Sequence, residues 1–518
     1  MTRADVAPGW LLSIASGAML GASYYLPWLV FNLVALLPIL YVLDRLAAQP
    51  LHSIWPQLRV AWLAGFVMHA IGTSFLLALT RFSYWAILLY PALTLLLGLK
   101  VGLILTVAAT LRRRLQISWV AVLPICWVAF DFLLSFGDLR LTADHLYHTM
   151  TPYPLLLQLA DLLGPYGITY LVVSFNALLF DLWNSRGRAQ STALRPALSL
   201  LLLAIVVLGY GFWARSAERT VDRTLRVGIV QPNVEMLMKW DENENQRQWE
   251  KLVRLTKEAA AEGAELVVWP ETAYPFPLNH WLDNPDSFAL PAVERLAAEL
   301  DISILSGIEY RRVRASKDFD LYNAMMVITP DGLSGVWGAK KYLVPFTEKL
   351  PFRGLFGPFI EGRGGAWRWL AGGFEEGKTS SPLEGEQSSI GALVCYEQLF
   401  SDLFREQVQA GAGWFAVITN DAWFARTPFQ QLQANAVRLR AIESRRDIVR
   451  AANTGISAFA TADGSLYDQT ELYEEAVLVR EISIRSGQTF YTKTGDVVAW
   501  ASLAILALLL FLSRRRSR

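Results

Sequence analysis

The chain has 518 residues, 53 % apolar and only 18 % charged, with 47 Lys and Arg against 46 Asp and Glu. Soluble domains carry about 25 % charge, and the apolar residues here crowd into the first 215 positions and the last 20. An ordinary soluble protein is therefore excluded in favour of a membrane protein with one large water-soluble insert, and two cysteines exclude a disulfide framework.

Apolar segments suited to crossing a bilayer lie near 9–24, 26–43, 60–79, 84–110, 118–136, 164–184, 196–213 and 496–513. Each is close to the roughly 20 residues a spanning helix needs. The first is diluted by Ser13, Ser16 and Ser23. It reads as an uncleaved span, because Arg3 and Asp5 make a poor basic leader and apolar segments keep following. About eight spans put both termini on one side. With the N-terminus cytoplasmic, the inner loops hold Arg45, Arg59, Arg112, Arg113, Arg114, Arg186, Arg188 and Arg195, and the tail adds Arg514, Arg515, Arg516 and Arg518. The short outer loops hold only Arg81 and Arg140. That asymmetry predicts cytoplasmic termini and an insert outside the cytoplasm, beyond a plasma-type membrane. Lys100 and Asp131 fall within apolar spans, where ionisable groups are costly, and a structural pair is expected of them. Cys126, in "PICWVAFDF", reads as a small core residue.

The expected organisation is a helical membrane domain over 1–214 with seven spans, an external domain over 215–495, and a last helix with a basic tail over 496–518. In the external segment "LRVGIVQ", "ELVVWPE", "ISILSGI", "YNAMMVITP", "SIGALVC" and "GWFAVITN" read as strands. "RQWEKLVRLTKEAAAEGAE" has helical periodicity, with Trp249, Leu252, Val253 and Leu255 on one face and Gly263 suited to the helix end. Continuous apolar strands imply sheets covered by helices, hence an α/β layered domain. Between 352 and 388, glycine mixes with Phe, Trp and Leu without a period. This reads as a surface loop or as a mobile lid that dips into lipid.

Three stretches place ionisable residues at strand ends, where layered α/β domains build sites. They are Glu271 in "VVWPETAYP", Lys340, Lys341 and Glu348 in "WGAKKYLVPFTEKLPF", and Cys395 with Glu397 in "GALVCYE". Together they offer a base, a cation and a nucleophile. A thiolate is the reactive form of cysteine, a glutamate can take its proton, and a lysine can stabilise a tetrahedral oxyanion beside the backbone N–H of Tyr396. Such a set performs acyl transfer. His280 is the single histidine of the external segment and has no supporting motif for a Cys–His site. His145 and His148 have an H-x-x-H spacing without further ligands, so no metal is expected, and there is no phosphate-binding glycine loop or basic nucleic-acid patch.

The motifs "WPETAYP", "KKYLVPFTE" and "VCYE", in this order, resemble the Glu–Lys–Cys signature of the nitrilase superfamily. With the spans, "QPNVEMLMKW", "ITNDAWF" and "RLRAIESRRDIVRAANTGIS", the chain is similar to the apolipoprotein N-acyltransferases over nearly its whole length. The resemblance implies a nitrilase-like αββα sandwich carried by a polytopic membrane domain. It also implies Glu271 as general base, Lys340 as catalytic lysine eight positions before Glu348, and Cys395 as nucleophile. Glu348, Tyr396 and Glu397 match supporting positions, and Trp240 matches a substrate-contacting tryptophan on a loop above the site. Three departures stand out. Thr347 replaces a glycine of "LVPFGE", glutamines of "PFQQLQ" occupy a position where many members carry histidine, and the outer loop 137–163 lacks the aromatic, glycine-containing pattern, with Asp131 where members often have Glu.

The activity so implied is transfer of an acyl chain from the sn-1 ester of a phospholipid, typically phosphatidylethanolamine, through a Cys395 thioester to the α-amine of a diacylglyceryl-cysteine at a lipoprotein N-terminus. No cofactor is implied, and the location is a bacterial inner membrane with the catalytic domain on the periplasmic side. A membrane-anchored amidase for small amides, a member using another acceptor, and a silent lipoprotein-binding homologue are the alternatives. Several spans and an intact triad argue against the first and the last.

Overall fold

The computed structural model describes residues 3–48, 53–82, 84–140, 142–185, 190–316, 318–360, 373–378, 381–385 and 388–516. The chain divides into two compact units, Met1–Ala217 with Thr494–Arg518, and Glu218–Lys493.

In the first unit every apolar segment is helical. The helices are Arg3–Ala22, a pair Leu29–Val34 and Leu37–Ala47, Trp55–Gly72 followed by a 3-10 turn Ser74–Arg81, Trp85–Leu115, Trp119–Leu134, Ala160–Asn184, Gln190–Ser216 and Val497–Arg515. Five of the described helical segments are long and apolar enough to cross a bilayer, and six if Trp55–Gly72 and Ser74–Arg81, bent by 48°, count as one. Gly9–Ala22 and Trp119–Leu134 are shorter apolar helices. Of the about eight expected spans, five or six thus have the length to cross, and the other two are apolar helices that stop short of it. The shortfall has local causes. A turn at 23–25 ahead of Pro27 ends the first helix, and bends at 135–137 end the one that starts at Trp119. Helices in lipid associate through close packing. At Gly65 a Cβ would lie 2.6 Å from the Gly98 carbonyl oxygen and 2.6 Å from Val101 Cβ, so only glycine allows this crossing.

Lys100 and Asp131 do pair, at 3.0 Å between Nζ and Oδ1, both buried. The pair is part of a larger knot. Lys100 also binds Asp144, whose carboxylate lies 3.0 Å from His69 Nε2, and the Tyr24 hydroxyl donates to the Asp144 carbonyl. Buried charge is tolerated where it is paired and hydrogen-bonded, so this knot fixes the loop after Leu134 to three helices. Cys126 is buried, as expected.

The second unit is built on two sheets. The strands are β1 (Arg223–Gln231), β2 (Leu266–Val268), β3 (Leu278–Trp281), β4 (Ser303–Val313), β5 (Phe319–Thr329), β6 (Gly332–Ala339), β7 (Leu383–Glu384), β8 (Ser389–Val394), β9 (Trp414–Thr419), β10 (Ile448–Ala452), β11 (Ala458–Ala460), β12 (Leu466–Tyr467) and β13 (Ala476–Ile484). The first sheet runs β13-β1-β2-β4-β5-β6 with β3 on β4, and the second β12-β11-β10-β9-β8-β7. The period of two along each strand explains the layers. Leu266, Val268, Leu305, Met325 and Val327 meet Ala392, Val394, Ala416, Ile418 and Val449 in one core between the sheets. Their neighbours Val267, Ile304, Ala324, Met326 and Ile328 face outward and bury Leu252, Leu255, Val293 and Leu296 of the helices Asn245–Ala261 and Pro291–Leu300. Ser401–Gln409 and Phe429–Ser444 cover the second sheet, Phe404 meeting Phe415 with ring centroids 4.7 Å apart. The result is a four-layer α/β/β/α sandwich.

Candidate active site

Three parallel strands end at one place. Glu271 follows β2 by three residues, Cys395 follows β8 directly, and Asn420 follows β9 directly. β2 is parallel to β1 and β4, and β9 to β8 and β10, so their carboxyl ends gather on one side, where such sheets place their sites. Lys340 enters from the end of β6.

The Glu271 side chain is buried, and both of its oxygens are held. Asn323 Nδ2 donates to Oε1 at 2.7 Å and the Asn420 backbone N–H to Oε2 at 2.8 Å. Its backbone is pressed against β4. A Cβ on Gly307 would lie 2.6 Å from the Pro270 carbonyl oxygen and 2.8 Å from Glu271 Cα, so this position requires glycine. Burial raises the Glu271 carboxyl above the usual glutamate range, the Lys340 charge opposes this, and Glu348 adds to it.

Lys340, 1 % exposed, lies with Nζ 2.7 Å from Glu348 Oε1 and 3.7 Å from Glu271 Oε1. Burial works against its charge, yet Glu348, Glu271 and Cys395 together hold its pKa above the usual lysine value. Glu348 is itself fixed by the Val344 N–H at 2.8 Å. Lys341 turns the other way and pairs with Glu406 on Ser401–Gln409 at 2.7 Å. The two adjacent lysines, alike in sequence, are thus separated by burial and partners.

Cys395 is buried and opens a short 3-10 turn, Cys395–Leu399, with φ at +53°. A left-handed non-glycine residue is uncommon and marks a backbone held by its surroundings. One such hold is Glu397, which accepts from Val394 N–H at 2.8 Å, Lys341 N–H at 2.7 Å and Tyr342 N–H at 3.1 Å. It therefore ties the cysteine turn to the loop that begins at Lys340. Burial pushes its carboxyl up to about 7, against these donors and the Lys340 charge. Burial foremost, then the Glu271 charge, push the Cys395 thiol up, while the Lys340 charge opposes this. Nearby, Thr419 Oγ1 donates to Asp421, which pairs with the fully buried Arg450 at 2.9 Å.

Tyr396 is half-buried, its ring 4.9 Å from that of Phe400. Trp240 is 51 % exposed on a loop between β1 and the helix Asn245–Ala261, beside exposed Leu237 and Met238. His280 is occupied elsewhere, with Nδ1 2.7 Å from the Tyr310 hydroxyl. Among the described residues no group of three His, Cys, Asp or Glu could hold a metal ion.

Two of the departures find local explanations. Phe346, not Thr347, takes the left-handed conformation, φ +64°, so threonine sits at Thr347 without backbone strain. Gln430 binds the Ala425 carbonyl and the Thr427 N–H, and Gln433 accepts from Arg450 at 3.3 Å. In the expected lid, residues 361–372 lie outside the described residues, and 353–360 form a helix with Phe352, Leu355, Phe356 and Phe359 exposed.

Sequence reasoning did not single out Asn323, Asn420, Thr419 or Lys239. All four lie within the stretches "YNAMMVITP", "ITNDAWF" and "QPNVEMLMKW"; for Asn323, Thr419 and Asn420 a polar residue in or next to an apolar strand was the available signal, and Lys239 lies on a loop that offered none.

Residues 226–490 match the carbon-nitrogen hydrolase family, and residues 16–178 match the apolipoprotein N-acyltransferase N-terminal domain. An apolipoprotein N-acyltransferase of Geobacter metallireducens is 33 % identical over 422 residues, 79 % of this chain and 78 % of that protein. Another, from Gloeobacter violaceus, is 29 % identical over 514 residues, 97 % of this chain and 94 % of that protein. Among solved structures, Saccharomyces cerevisiae Nit3, a nitrilase-superfamily member, aligns at 16 % identity and a TM-score of 0.39 over 52 % of this chain and 93 % of its own. The two family matches and the similarity to relatives along most of the chain show that this protein belongs to the apolipoprotein N-acyltransferase family, the membrane branch of the nitrilase superfamily.

Proposed function

We propose that this membrane acyltransferase, which N-acylates lipoproteins with a phospholipid as donor, works through Cys395 as nucleophile, Glu271 as proton carrier and Lys340 as electrostatic stabiliser. The observation that carries the reading is the buried Lys340 ammonium between Glu271 and Glu348, with Cys395 in the field of both Glu271 and Lys340. The thiol is pushed up and so rests protonated, which makes a base necessary. In the first step Glu271 takes the Sγ proton and sulfur attacks the sn-1 carbonyl carbon. The oxyanion forms against Lys340 and the Tyr396 N–H. Collapse breaks the C–O bond, Glu271 returns the proton to the leaving oxygen, and a lysophospholipid departs from a Cys395 thioester. In the second step the α-amine of the diacylglyceryl-cysteine attacks the thioester and gives a proton to Glu271. The C–S bond breaks, the amide leaves, and the proton returns to sulfur. Proton transfer within the set moves one negative charge from carboxylate to sulfur beside the same ammonium, so no charge is created in the buried site.

In this reading residues 1–214 and 496–518 hold the chain in a bacterial inner membrane with both termini cytoplasmic, and residues 215–495 work on the periplasmic side, as the loop arginines favour. Phosphatidylethanolamine is the expected donor, and Trp240 contacts substrate. The test is reconstitution in vesicles of defined phospholipid with a diacylglyceryl-cysteine peptide. Triacylated peptide and lysophospholipid should appear in equal amounts and vanish in Cys395→Ala. Release of free fatty acid without peptide acylation would contradict the acceptor assignment.

A further inference from the structure

The loop bearing Trp240 is fastened at two points, and both lead to Glu271. Near its start Asn453 pins Val234, accepting from its N–H at 2.9 Å and donating to its carbonyl at 2.8 Å. Asn453 also donates to the side chain of Asn420 at 3.0 Å, and the Asn420 N–H holds the Glu271 carboxylate. At its far end Lys239 turns inward, 6 % exposed, and donates to the Thr272 carbonyl at 2.9 Å. Thr272 is the residue after the base and sits at φ +47°. Between the two fastenings Leu237 and Met238 face outward, and Trp240 follows directly.

A lysine is an expensive way to satisfy one carbonyl. Burying an ammonium costs several kcal/mol unless a counter-charge is near, and a neutral donor would make the same bond. The charge acting on Lys239 is that of Glu271; burial still holds the ammonium down, to about 8. Glu271 in turn interacts with Lys340 and Glu348 and with the Cys395 thiol. Lys340 is shared with Glu348 at 2.7 Å, and the attraction between Lys239 and Glu271 adds a second cation, from the substrate-loop side.

We propose that Lys239 is a positioning residue of the acyl-transfer site, locking the Trp240 loop onto the peptide that follows the base and favouring the carboxylate form of Glu271. Loop placement and readiness of the base are then coupled through one side chain. The inference rests on Glu271 being the base.

The test uses the full chain in phospholipid vesicles and follows thioester formation on Cys395 by intact mass across pH. Lys239→Gln keeps a donor for the Thr272 carbonyl and removes the charge, so the acid limb of the rate moves up by roughly one pH unit. Lys239→Met removes the tether as well, and the rate above that limb falls by about 10-fold or more. Lys239→Arg keeps the charge and returns the limb to the wild-type position. An unshifted limb in Lys239→Gln, or a Lys239→Met rate equal to wild type, overturns the inference. If Lys239→Met does not fold, the glutamine and arginine limbs decide alone. Glu271→Gln separates the two levels, because a thioester formed at the wild-type rate there would refute the base assignment itself, whatever Lys239 does.

Discussion

Glu397 touches no substrate in the proposed reaction, yet it should be nearly as sensitive as the residues that do. Its Oε1 accepts from Lys341 and Tyr342 and its Oε2 from Val394. In Glu397→Gln the side chain has one acceptor oxygen, and whichever way the amide is turned its NH2 meets a backbone donor. Turned to keep Lys341 and Tyr342, it abandons Val394, the residue before Cys395. A hydrogen bond to a charged group contributes about 1.5–3 kcal/mol, and a buried donor left unpaired costs about 1–3 kcal/mol. Removing a carboxyl that burial already pushes up to about 7 returns part of that, which leaves a net loss of about 2 kcal/mol. For a domain of this size the melting temperature should drop by roughly 4–8 °C. The same change loosens the cysteine turn from the Lys340 loop, and a misplacement near 1 Å costs about 100-fold in rate. Thermal unfolding of the purified chain and single-turnover thioester formation measure the two effects. A variant with wild-type melting and a rate within about threefold of wild type would refute this argument, since the placement of Cys395 could not then depend on this contact.

Further outcomes follow from the same geometry. Lys340→Met leaves the buried Glu271 carboxylate without its ammonium and should cost about 3–5 kcal/mol at neutral pH; the deficit in melting temperature should shrink on acidification, as the Glu271 carboxyl, already raised by burial, takes up a proton, and an equal deficit at pH about 5 and about 8 would contradict the ion-pair account. Because burial raises the Glu271 carboxyl above its ordinary 4.5 and the proposed mechanism uses the carboxylate as base, the wild-type rate of thioester formation should fall on acidification through a limb above that value, and a limb at or below it contradicts the assignment.

Much of the site was legible because its reactive groups end apolar strands. The sequence "VVWPE" followed by "GALVCYE" places a carboxylate and a thiol where two strands stop, and the fold brings those stops together. What was not legible is carried by groups without a sequence signal. The Asn420 backbone N–H on Glu271, the carbonyl of Thr272 under Lys239 and the three N–H donors on Glu397 are main-chain atoms, identical in every residue. Asn323 lies inside β5, where period-two burial predicts only that one face is inward. The same holds in the membrane unit. Lys100 and Asp131 announced a pair, but Asp144 and His69, which complete it, sit on a loop and on another helix. Hydropathy registers an apolar run, whereas a turn ahead of Pro27 and bends after Leu134 decide where two of the apolar helices stop.

The central claim is that Cys395 carries the acyl chain. Intact-mass spectrometry of the protein from native membranes tests it most directly, comparing wild type with Cys395→Ala. The expected result is a fatty-acyl adduct on the wild type that hydroxylamine removes and that is absent from the variant. An adduct that persists in Cys395→Ala, or none on the wild type after incubation with phospholipid, would contradict it.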